Sequence, residues 1–102
     1  MVQRSDAHAI LVAASPSMEQ VVTGSELPVS LRFNSRIDGR RSRMLLLAPN
    51  NVERTLVIEE QHSPDTLTSR AKGLGSGSYI LRWQVLANDG HITRGEVSFR
   101  VQ

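Results

Sequence analysis

Tyr79-Ile80-Leu81-Arg82-Trp83-Gln84-Val85-Leu86-Ala87 is the stretch that decides the fold. Tyr79, Leu81, Trp83 and Val85 recur at every second residue, the period of a β-strand with one buried face. Aromatic and β-branched side chains suit such a pleated, half-buried surface. A companion run over residues 95–101 puts Val97, Phe99 and Val101 on one face. Together they predict two neighbouring strands whose connection carries Asp89-Gly90-His91.

Working outward, the same period recurs. Val29, Leu31 and Phe33 alternate with Ser30, Arg32 and Asn34, which predicts another half-buried strand. Residues 9–14, 43–48, 55–59 and 66–70 read as further strands, separated by turn signals such as Ser15-Pro16 and Pro49-Asn50-Asn51. Residues 18–22 have room for one helical turn at most, and the arginine-rich residues 36–44 read as a loop or short turn. Leu74-Gly75-Ser76-Gly77-Ser78-Tyr79 has the pattern of a tyrosine corner, where a chain crosses between two sheets. The expected fold is all-β, an Ig-like Greek-key sandwich or barrel of about seven strands in one domain.

Composition narrows the function classes. The chain has 102 residues and 39% hydrophobic residues, enough for one modest core. Without cysteine, no thiolate can hold a metal, so a metal site must use imidazole, carboxylate, amine or backbone oxygen. Eleven of the twelve basic residues are arginine, yet the net charge is only +2, a weak field for nucleic acid. The run Arg36, Arg40, Arg41, Arg43 is dense but has no interleaved aromatics, so it reads as a solvated edge or a contact for a partner protein. No apolar run approaches the roughly 18 residues of a membrane span. Ser5-Asp6-Ala7 fits a small-x-small cleavage pattern, and residues 1–7 read as a disordered leader or processing remnant. No nucleophile–base arrangement, phosphate-binding glycine loop or catalytic acid pair stands out, so an enzyme is not expected.

The chemistry-bearing residues are few. The histidines are His8, His62 and His91. Asp89 and His91, two positions apart, can offer one oxygen and one nitrogen to a shared ion if the backbone stays extended. The plainer alternative is a turn, since Asp-Gly is a strong turn dipeptide and a following histidine is often just a polar loop residue. Two donors are too few for tight binding, and His8, just before the first strand, is the natural third. His62 reads as a solvated loop residue.

The pattern His8-Ala9, Leu11-Val12, Ser15-Pro16, then Val29, Leu31 and Phe33, resembles the first half of the CopC/PcoC family of periplasmic copper-resistance proteins. Gly77-Ser78-Tyr79, Leu81, Trp83 and Val85, then Asp89-Gly90-His91, Gly95, Phe99 and Val101, resembles that family's C-terminal signature. The resemblance implies a CopC-like domain over residues 8–102 with one Cu(II) held by His8, Asp89 and His91. It also implies that a mature chain begins at His8, whose amine and side chain both bind copper. Some members carry a glutamate after the strand matched by Phe33; Ser35 stands there, with Asp38 nearby. Members with a Cu(I) site have a methionine-rich loop, whereas this chain has only Met1, Met18 and Met44, so no dedicated Cu(I) site is expected. The implied role is periplasmic copper resistance or homeostasis by a monomer. It would hold copper or hand it to an inner-membrane transporter of the CopD type, with no nucleic-acid partner and no membrane insertion. The alternative is an Ig-like interaction domain whose metal site is weakened or lost.

Overall fold

The computed structural model describes residues 9–102. Among these it has eight strands: β1 (Leu11–Ser15), β2 (Gln20–Val22), β3 (Leu27–Phe33), β4 (Ile37–Leu47), β5 (Glu53–Leu56), β6 (Thr66–Ala71), β7 (Gly77–Ala87) and β8 (Ile92–Val101). They form a three-stranded sheet of order β1-β3-β6 and a five-stranded sheet of order β2-β8-β7-β4-β5. The two sheets face each other as an all-β, Ig-like sandwich.

Alternation builds the core. Tyr79, Leu81, Trp83 and Val85 of β7 and Val97, Phe99 and Val101 of β8 are buried, as the sequence period predicts. Leu27, Val29, Leu31 and Phe33 of β3 meet them from the other sheet. Phe33 stands edge-on to Trp83 with ring centroids 5.1 Å apart, and Tyr79 stacks on Phe99 at 5.5 Å. Each such side chain contributes on the order of 1.5–3 kcal/mol by leaving water. Trp83 pairs across the ladder with Gly95, and the indole occupies the space a side chain there would need. A Cβ on Gly95 would overlap Trp83 Cζ2.

The tyrosine corner is present. Tyr79 Oη donates to the Gly75 carbonyl at 2.9 Å, where the chain passes from β6 to β7. Three expectations need correction. Residues 36–44 are not a loop: from Ile37 on they are the first part of β4, paired with β7 on both sides of an irregularity between Asp38 and Arg43. The extra residues form a bulge closed by Ser42 Oγ, which donates to the Asp38 carbonyl at 2.6 Å. Residues 20–22 are extended and pair in parallel with β8. The strand expected over residues 55–59 ends at Leu56. Beyond it Ser69 Oγ donates to the Val57 carbonyl and the Glu59 amide to the Thr68 carbonyl, so the chain has crossed to β6.

Candidate metal site

The β7–β8 hairpin closes through residues 88–90. The Gly90 amide donates to the Ala87 carbonyl at 3.0 Å, and the Ala87 amide to the His91 carbonyl at 2.8 Å. Gly90 takes φ 88°, the left-handed conformation that this three-residue hairpin loop requires. The backbone between Asp89 and His91 is therefore a turn and not extended, contrary to the condition set from the sequence. The Asp-Gly dipeptide makes the turn that the plainer sequence reading expects, and that turn brings the two side chains together. His91 Nδ1 and Asp89 Oδ2 are 2.6 Å apart, and the His91 amide donates to Asp89 Oδ1 at 3.0 Å. The imidazole is 56% exposed, the carboxylate 20%.

With Nδ1 turned to the carboxylate, Nε2 is the imidazole nitrogen directed away from the pair. An ionised carboxylate offers about four lone-pair positions on its two oxygens. One carboxylate can thus orient the imidazole and still donate to an ion.

Neighbouring segments fix the hairpin tip. The Asn88 amide donates to the Arg36 carbonyl at 3.1 Å, and Ile37 pairs with Ala87. Two residues earlier, Asn34 grips the start of the described chain. Its amide donates to the Ile10 carbonyl at 2.9 Å, and its Oδ1 accepts the Ile10 amide at 2.8 Å. Two residues of chain span at most about 7 Å, so the chain enters the sandwich at the hairpin's end. Ala9, directly before Ile10, is fully buried.

The remaining candidates fall as follows. His8 and the leader assigned to residues 1–7 lie outside the described residues. Asp38 is committed to its own bulge: Oδ1 accepts the Arg40 amide at 3.0 Å, and Oδ2 pairs with Arg41 at 3.3 Å. Ser35 Oγ is buried without a hydrogen-bond partner among the described residues, as are Trp83 Nε1 and Thr93 Oγ1. His62 lines a cleft of about 690 Å³ on the other flank of the hairpin, with Arg36, Arg41, Asn88 and Gly90. Among the described residues no group of three or more His, Cys, Asp or Glu is gathered for a metal.

Two residues that the sequence reading passed over turn out to matter. Asn34 is the staple just described, and an asparagine at a strand end is a recognisable turn signal. Gln61 Oε1 accepts the Gly39 amide at 2.9 Å, and its Nε2 faces the carbonyls of Ile37 and Ser63 at 3.4 and 3.2 Å. This holds the loop carrying His62 against β4, and only glycine at position 39 leaves room for it.

The sequence matches the CopC domain over residues 11–102. The chain belongs to the CopC family. The crystal structure of CopC from Methylosinus trichosporium OB3b superposes with a TM-score of 0.83 and 35% identity, over 93% of this chain and 94% of that one. Escherichia coli PcoC, described as a methionine-rich copper resistance protein, gives a TM-score of 0.75 at 18% identity, over 94% of this chain and 100% of that one. At that identity PcoC supports the shared fold alone. Protein YobA of Escherichia coli K12 is 29% identical over 99 residues, covering 94% of this chain and 80% of YobA.

Proposed function

We propose that this CopC-family chain is a periplasmic Cu(II)-binding protein that serves copper resistance or homeostasis, with copper as its cargo. The observation that carries the reading is the Asp89–His91 pair, joined by the turn at the end of the sandwich where the chain enters. A nitrogen and oxygen donor set without thiolate suits Cu(II). His8, one residue ahead of the buried Ala9, is the third ligand in this reading. In a chain starting at His8 the α-amine becomes a fourth donor. The one-oxygen, nitrogen-rich set is the flat arrangement that Cu(II) favours.

The protein's part is to bind and release an ion, and we assign it no catalytic role. A carrier needs a receiver, and we take that to be an inner-membrane copper transporter of the CopD type, met by a monomer. We expect no dedicated Cu(I) site; of the methionines among the described residues, Met44 is buried in the core and Met18 is exposed.

The test is a Cu(II) titration followed by electron paramagnetic resonance, on the full chain and on a chain beginning at His8. One equivalent with a tetragonal spectrum is expected, bound more tightly by the shorter chain. If His91→Ala leaves spectrum and stoichiometry unchanged, the assignment is wrong. Equal affinity of the two chains would remove the amine from the ligand set.

A further inference from the structure

We infer that the arginine-rich first part of β4, beside the hairpin, is a docking surface for an acidic segment of a partner protein. The inference rests on the copper reading for its purpose, while the surface itself is argued from charge and placement. Residues 36–43 hold four arginines and one aspartate, a local charge of +3, which exceeds the +2 of the whole chain. Outside this segment the formal charge of the chain sums to −1, so the segment is its densest run of positive charge, with Glu59 and Glu60 facing only the Arg40 side. The Asn88–Arg36 backbone bond places the segment against the turn, and the bulge capped by Asp38 turns Arg40 and Arg41 outward.

Clustering, more than pairing, separates this group from other arginines of the sandwich: Arg32, Arg54 and Arg100 also have no ion pair among the described residues but stand apart from one another along the chain. Arg82 lies 3.3 Å from Glu96 and 3.6 Å from Glu53, and Arg70 lies 3.4 Å from Glu26. Beside the hairpin only Arg41 has a carboxylate, that of Asp38. Arg36, Arg40 and Arg43 are exposed and have no ion pair among the described residues. Arg94 adds to the cluster, bonded to the neutral Gln84 at 2.8 Å on the face that Arg43 shares through the ladder.

The sign of this field decides the partner. A cationic collar repels a free divalent cation and speeds encounter with a negatively charged surface. The cleft lined by Arg36, Arg41 and His62 gives an extended acidic segment a place directly beside the turn. Nucleic acid is disfavoured because Phe33, Tyr79, Trp83 and Phe99 are all buried, so no aromatic platform faces outward for bases.

The experiment titrates the copper-free, isotope-labelled chain with a synthetic glutamate–serine decapeptide and follows backbone amide shifts. Saturable shifts are expected over residues 36–43, 61–64 and 88–90. They should vanish with the glutamine version of the peptide and in about 1 M salt, where the Debye length is about 3 Å. Arg36→Gln/Arg40→Gln/Arg43→Gln should weaken peptide binding at least about tenfold while the amide spectrum stays that of the folded chain. Shifts that map elsewhere, or an affinity unchanged in the triple variant, would overturn the inference. So would a single-stranded oligonucleotide that saturates the same amides at lower concentration than the peptide. No copper is present, so a failure here is separate from a failure of the Cu(II) titration.

Discussion

Replacing Gly95 by alanine tests how the core end beneath the hairpin is built. The added Cβ would overlap Trp83 Cζ2 and lie 2.8 and 2.9 Å from Cε2 and Cη2. The indole is rigid, only 7% exposed, and held on its other side by Phe33 at a centroid distance of 5.1 Å. It has no flexible end to yield, so the ring or the β7–β8 ladder must shift. Overpacking of this kind costs about 1–3 kcal/mol, and three ring atoms in the way favour the upper part of that range. For a domain of this size each kcal/mol moves Tm by about 4–8 °C, so a fall of roughly 10–20 °C is expected. Thermal unfolding read by the fluorescence of the single tryptophan measures both the stability and the ring's surroundings. A Tm within about 2 °C of the parent, with unchanged emission, would show that the ring does not sit over Gly95. Trp83→Phe removes the clashing atoms and the tryptophan signal together, so a double-mutant cycle followed by circular dichroism should give a favourable coupling of about 0.5–3 kcal/mol.

Tyr79→Phe deletes the bond to the Gly75 carbonyl and should cost about 0.5–1.5 kcal/mol in denaturant unfolding, with Cu(II) binding untouched. Gln61→Ala leaves the Gly39 amide without its acceptor; hydrogen exchange there should speed up while β7 and β8 amides keep their protection. Asp89→Asn keeps the shape of the side chain but removes its charge, and should weaken Cu(II) about 10–100-fold, read by competition with a chelator of known affinity. Acid should release the ion, because imidazole binds metal only when neutral and carboxylate only when ionised; a site that stays loaded at low pH would argue against these ligands.

The sequence revealed those strands whose burial follows a strict alternation. β3 and β7 over most of their length, and β8 over its second half, are buried on one face at every second residue, so period alone located them. β4 was hidden because the bulge breaks the count: Ile37 and Met44 are both buried, although they lie an odd number of residues apart. An alternation test reads that as a loop, and the outward arginines reinforce the misreading. β2 has no fully buried side chain at all and exists through its backbone pairing with β8, which no side-chain pattern reports. Val57 sustained the apparent alternation of residues 55–59, yet it is 80% exposed. At the site, Asp89 and His91 were legible as a pair, but the geometry joining them was not. Extension was assumed, and the positive φ of Gly90 supplies the contact. The cationic collar was visible as a run of arginines; its position against the hairpin depended on the unforeseen start of β4.

The hairpin tip makes the pair depend on loop length as well as on ligand identity. Asp89 and His91 meet because only Gly90 stands between them, in a three-residue turn closed by the Ala87–His91 backbone bond. One inserted residue would turn imidazole and carboxylate away from each other and leave the eight-stranded framework standing. A relative could thus lose the ability to carry an ion with both donors intact, and counting those residues in its sequence would not reveal the loss. The spacing across the turn is as much a part of this site as the side chains it brings together.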